Sequence, residues 1–265
     1  MRRRTYAFLF LFALCLLVVV WWVAPPSFQK FVASFVYTHS PTAAYYLNHS
    51  DAALAAQLGN YYFGGGEYNL RKAAASYELA LQLDPATQLV RYQLARIYFV
   101  DGQLDRALAH INAELILFPY NPRSLYVRGL TYISLNNLSA AEEDFRNFVA
   151  WAPAEWGGYN DLAFVLAKEG KYTESEAVIQ DAFIKVPEAK DIPWLWNSLG
   201  LAQLNRLHYV DAEASFTQAL ALAREVTPKQ WHRAYSGNDP ASIEASIKAF
   251  QAAIEANLSL AQAKK

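Results

Sequence analysis

The chain has 265 residues, 54% hydrophobic and 15% aromatic, which excludes general disorder and leaves room for one solenoid or about two ordinary domains. Its 23 Lys and Arg nearly balance 24 Asp and Glu, and without Arg2, Arg3 and Arg4 the remainder is acidic, so no nucleic-acid partner is expected. The single cysteine, Cys15, excludes an internal disulfide and a cysteine-based zinc site.

The elements begin with an uncharged run from Tyr6 to Ala24 that, as a helix, would span about 28 Å. Residues 5–24 are therefore expected to form a transmembrane signal anchor behind a short cytoplasmic tail, residues 1–4. No A-x-A site comes after it, and Pro25-Pro26 come at once, which argues against a cleaved signal peptide. The arginines before the run would keep the N-terminus cytoplasmic and place everything after it outside, in a bacterial cell envelope. Trp21 and Trp22 would lie at the outer headgroups.

Residues 25–51 read as a juxtamembrane helical linker. Phe28, Phe31, Val32, Phe35 and Val36 recur at helical spacing, giving an aromatic face that either lies on the membrane or caps the first repeat unit. Pro41 starts a second short piece through Tyr45, Tyr46 and Leu47.

The strongest signal is a period. Pro85, Pro119, Pro153 and Pro187 stand 34 residues apart, each closing an apolar helical run, and small residues recur in register between them. The first unit carries Leu58-Gly59, Tyr62, Ala73, Tyr77 and Ala80, stretched by two residues beside Gly64-Gly65-Gly66. The second carries Leu94-Ala95, Tyr98, Gly102, Ala107 and Ile111, and the third Gly129, Tyr132, Ala141 and Phe145. The fourth has Leu162-Ala163, Gly170, Ser175, Ile179 and Ala182, and the fifth Trp196, Leu199, Gly200, Ala212, Phe216 and Ala219. Gln203, Glu114, Phe148 and Arg224 depart from the pattern.

On these residues the chain resembles the tetratricopeptide repeat family, with its W-x-x-L-G-x-x-Y, A-x-x-x-F and closing proline. The resemblance implies an all-α fold, a right-handed superhelical α-solenoid of helix pairs, with five repeats over residues 52–223 behind the N-terminal transmembrane helix. Residues 224–265, with Asp239-Pro240 opening a stripe of Ile243, Ile247, Phe250, Ile254 and Leu258, read as a capping helix or a degenerate sixth repeat.

No catalytic constellation emerges. The glycine run lacks a following G-K-[ST], the five histidines never fall at i, i+4, and no G-x-S-x-G is present. Glu142, Glu143 and Asp144 are consecutive, so on a helix they point in different directions. No enzyme activity, catalytic residue, metal, cofactor or small-molecule substrate is expected.

The resemblance further implies a groove lined by the first helix of each repeat. Its register puts Asn60, Phe63, Tyr92, Arg96, Phe99, Arg123, Tyr126, Asn160, Lys168, Asn197 and Asn205 at partner-binding positions. Leu130, Phe164 and Leu201 also face inward, either in the groove or packed between repeats. An extended peptide or partner helix bearing a carboxylate would suit Arg96, Arg123 and Lys168. The expected function is a membrane-anchored scaffold or adaptor in envelope assembly or protein quality control. The alternatives are a non-catalytic subunit of a membrane enzyme complex and a cytosol-facing organellar receptor or assembly factor.

Overall fold

The computed structural model describes Trp21 and residues 23–48, 50–235 and 237–265, and every regular element among them is helical. The chain divides into two compact units, residues 1–90 and 91–265.

The first unit holds α1 (Pro26–His39), α2 (Pro41–Leu47), α3 (Ala52–Asn60), a π-turn at Tyr61–Gly65 and α4 (Leu70–Leu83). Proline at the first turn of α1 and α2 presets the helical φ where no N–H is needed. Asp51 caps α3 by accepting from the N–H groups of Ala53 and Leu54, and Asn69 caps α4 by accepting from Lys72 N–H. Helices α3 and α4 close around Leu58, Tyr62 and Tyr77, all buried.

The second unit runs through four helix pairs. These are α5 (Val90–Val100) with α6 (Leu104–Leu117), and α7 (Pro122–Ser134) with α8 (Leu138–Trp151). Then come α9 (Trp156–Lys168) with α10 (Tyr172–Lys185), and α11 (Pro193–Asn205) with α12 (Tyr209–Arg224). The short α13 (Pro228–Ala234) and the long α14 (Ile243–Lys264) complete it.

One small residue and one large residue meet where the helices of each pair cross. Gly129 of α7 and Gly200 of α11 lie against the rings of Phe145 and Phe216, so close that a Cβ on either glycine would sit 2.8 or 2.7 Å from the ring. In the other two pairs alanine takes the small place and isoleucine the large one: Ala95 with Ile111, and Ala163 with Ile179. Matching volumes in this way keeps the interhelical gap filled without strain.

The turn inside each pair has its own device. Gly102, Asn136, Gly170 and Leu207 take positive φ, and the next residue's N–H donates to the carbonyl five positions back, from Gln103 to Tyr98 through His208 to Gln203, at 2.8 to 2.9 Å. This left-handed cap satisfies carbonyls that the helix end would otherwise leave open.

Two of the departures from the repeat pattern, Gln203 and Phe148, are accommodated by their neighbours. Gln203, where an aromatic is expected, is buried and accepts the Ser215 hydroxyl proton at 2.7 Å, so its amide oxygen is not orphaned. Phe148, where a small residue is expected, fills space left by Gly158 of the next pair, whose added Cβ would lie 2.2 Å from the ring. Arg128 of α7 grips Asp144 of α8 through two bonds of 2.8 and 2.7 Å and also donates to Asn112 of α6 at 3.1 Å, tying three helices together.

One expectation is corrected by these helices. Among the described residues no helix is long and apolar enough to cross a membrane. Helix α1, with 14 residues, reaches only about 21 Å, and the 22-residue α14 carries Glu244, Lys248, Glu255 and Lys264 along its length. The reading as a single-pass membrane protein, with a cytoplasmic N-terminus and extracytoplasmic helix pairs, is therefore not supported. The expected tail, residues 1–4, and residues 5–20 and Trp22 of the expected span lie outside the described residues. Trp21 is half-buried, its carbonyl accepting from Gln29 Nε2 at 2.8 Å.

Candidate partner-binding groove

In the second unit the first turns of α7, α9 and α11 begin at one end of the helix stack, because each comes after a turn holding one of the period-34 prolines or its insertion. Those turns deliver Arg123, Trp156, Gly157 and Trp194 to a single cavity of about 830 Å³. Tyr92 and Tyr126 from α5 and α7, the C-terminal ends of α8 and α12, and Gln230, Arg233 and Ala234 of α13 complete its walls. A cavity of this size matches pockets that bury a small ligand or a few peptide side chains.

One wall is a continuous aromatic stack. Trp156 lies on Trp194 at 5.2 Å between ring centres and 19° between planes, and Trp194 lies on Phe250 of α14 at 5.3 Å and 15°. Trp231 and Tyr235 close against the same ring at 5.6 and 6.0 Å. Trp194 and Trp231 are buried, so the short α13 is held by these rings. The Thr227–Gln230 capping box fixes its start.

Below Tyr126 runs a polar network across three first helices. The Tyr126 hydroxyl and the Asn160 amide both donate to Asp161 of α9, the latter at 3.0 Å, and Asn160 in turn accepts from the Ser198 hydroxyl of α11 at 2.8 Å. Burial pushes the Asp161 carboxyl up to about 6, outweighing the two donors that favour its charged form. Burial, and then the nearby Asp161, likewise raise the Tyr126 phenol well above its ordinary value and push Tyr235 up to about 12.

Of the eleven sequence-derived positions, Tyr92, Arg123 and Tyr126 line this cavity. Asn160 sits behind it in the Asp161 network. Asn197 accepts from Asn257 Nδ2 at 3.3 Å and so links α11 to α14, and Asn205 donates to the Leu201 carbonyl at 2.8 Å. Arg96 lies over the Tyr92 ring and donates to Gln93, and Lys168 lies over Phe164. Phe99 is half-buried away from the cavity walls. Asn60 and Phe63 belong to the first unit, where Asn60 accepts from the Tyr77 hydroxyl at 2.6 Å and Phe63 is buried.

Of the expected trio of Arg96, Arg123 and Lys168, Arg123 alone lines this cavity. Trp156, Trp194, Gln230 and Arg233 were not anticipated. Trp156 and Trp194 each open a first helix just after a turn, and that repeated placement was the available signal. Among the described residues no cluster of His, Cys, Asp or Glu is arranged to hold a metal ion.

Residues 122–155, covering α7, α8 and the turn after them, match the family model of the tetratricopeptide repeat. The chain carries a tetratricopeptide repeat. Solved structures with the same tetratricopeptide architecture include MamA, at a TM-score of 0.57 and 16% identity over 66% of this chain and 92% of that one. YrrB, described as a TPR protein with an unusual peptide-binding site, aligns at 0.55 and 19% identity over 69% of this chain and 92% of that one. At such identities the likeness is one of fold. In sequence the chain is 36% identical over 92 residues to cellulose synthase operon protein C of Pseudomonas fluorescens strain SBW25, which is 35% of this chain. The match spans 7% of that protein's length. An all-helical tetratricopeptide fold suggests a protein-interaction scaffold, and tetratricopeptide proteins are generally non-catalytic.

Proposed function

We propose that the chain is a protein-binding scaffold whose working surface is the groove of the second unit, where a segment of a partner protein is held as an extended peptide or a helix. The observation that carries this reading is the cavity itself. The packed helix pairs of that unit leave an opening of about 830 Å³ walled by Trp156, Trp194, Tyr92 and Tyr126, rings that offer large contact area at low entropic cost.

The test is site-specific photocrosslinking in the native host. A photoreactive residue at Arg123 or Gln230, both exposed on the cavity wall, is expected to yield a discrete adduct with a partner chain. The same residue at the exposed Gln180 of α10 or Thr217 of α12 serves as the comparison, since neither lines the cavity. Adducts formed only from Gln180 and Thr217 would place the working surface elsewhere.

A further inference from the structure

The charge of the groove is opposite to the expected one. Glu155, Glu188, Asp191 and Glu225 line it against only two bases, Arg123 and Arg233. None of these four carboxylates forms an ion pair among the described residues. Elsewhere several carboxylates find bases, as Glu142 does with both Lys171 and Arg146. Those around the groove are left to face the opening.

Two further observations come from the interior and not from the rim. Trp194 is 8% exposed and lines the cavity, and its indole N–H is turned to the Tyr235 hydroxyl, which it helps to hold in place. Beneath Tyr126, Asp161 has polar donors but no base among the described residues to balance its charge. The site therefore offers aromatic faces and surplus negative charge. A cation over an aromatic face is attracted by the ring's electron-rich surface, and the attraction grows as water is excluded.

Resting on the scaffold reading above, we infer that the groove selects a partner segment carrying a lysine or arginine side chain. The cationic head lies among Glu155, Glu188, Asp191 and Glu225 beside the Trp156–Trp194 wall. An acidic segment would meet four unpaired carboxylates and is excluded by the same charges.

Random dodecapeptides displayed on phage and panned on the full chain test this without knowing the partner. The expected binders are enriched in Lys or Arg next to apolar residues. Their affinity should fall at least about tenfold in Glu188→Lys/Glu225→Lys, two exposed positions whose exchange leaves the core untouched, and should weaken as salt is raised from about 0.05 to 0.5 M. Gly157→Leu, which inserts a side chain beside the Tyr126 hydroxyl, and Trp156→Ala should abolish binding while helical content is kept. Binders lost in Gly157→Leu that show no excess of Lys or Arg, or that bind the charge-reversed variant equally well, overturn the inference and leave the groove standing. Binders indifferent to both Gly157→Leu and Trp156→Ala, or a panning that recovers none, overturn the groove and the inference together.

Discussion

The ring of Phe145 on α8 occupies the space that a side chain on Gly129 of α7 would need, with 2.8 Å between the ring and the position of the missing Cβ. In the neighbouring pairs the same two places hold Ala95 with Ile111 and Ala163 with Ile179. The two solutions fill one gap in two ways, and mixing them should fail. Gly129→Ala alone is expected to cost about 1 to 3 kcal/mol by overpacking. Gly129→Ala/Phe145→Ile, which imitates the neighbouring pairs, should recover much of that loss, giving a favourable coupling in a double-mutant cycle. Urea unfolding of the four proteins measures it, and strictly additive effects would show that the two residues do not share the gap.

Leu207 holds a left-handed backbone, with φ of 66°, at the turn where Gly102 and Gly170 stand in the other pairs. A Cβ in that conformation costs roughly 1 to 2 kcal/mol, and Leu207 is exposed, so little packing repays it. Leu207→Gly is expected to raise stability by about 0.5 to 1 kcal/mol, part of the gain being offset by the freer unfolded chain. Thermal melting of the variant decides the matter. A lower midpoint would mean that the Leu207 side chain holds the turn through contacts worth more than the strain.

Asp161 makes stability depend on pH in an unusual direction. Its carboxyl is raised to about 6 in the folded state, mainly by burial, whereas an unfolded chain would titrate it near 3.9. Between those values the folded protein binds the proton more tightly than the unfolded one. The contribution is therefore present in full below about pH 4 and is lost as pH rises through 6, amounting to about 3 kcal/mol. Asp161→Asn, which can still accept from Tyr126, should match the parent near pH 4 and exceed it at pH 7.5. Denaturation profiles of both proteins across that range check this, and parallel profiles would mean that Asp161 is better solvated than its surroundings imply.

The helix pairs are dictated locally. Proline at 34-residue spacing and alternating small and large residues act through φ restriction and the contact of two helices joined by a short turn, so their consequences can be read from sequence without the rest of the chain. Helix starts are equally legible, because proline at the first turn and Asp, Asn or Thr before it satisfy the first N–H groups within a few residues. The groove was only partly so. Counting along single helices gave Tyr92, Arg123 and Tyr126 as residues that line the cavity, but it could not show that Asn160 and Asn197 would be consumed in bonds to Ser198 and Asn257, residues 38 and 60 positions away. Nor could it show that Trp156, Trp194, Trp231 and Phe250, spread over four helices, would stack into one wall. Those contacts depend on how successive helix pairs are rotated against one another, which no pattern within a single pair records. The sign of the groove's charge was decided in the same way, since Glu155, Glu188, Asp191 and Glu225 sit at helix ends that only tertiary packing brings round a common opening.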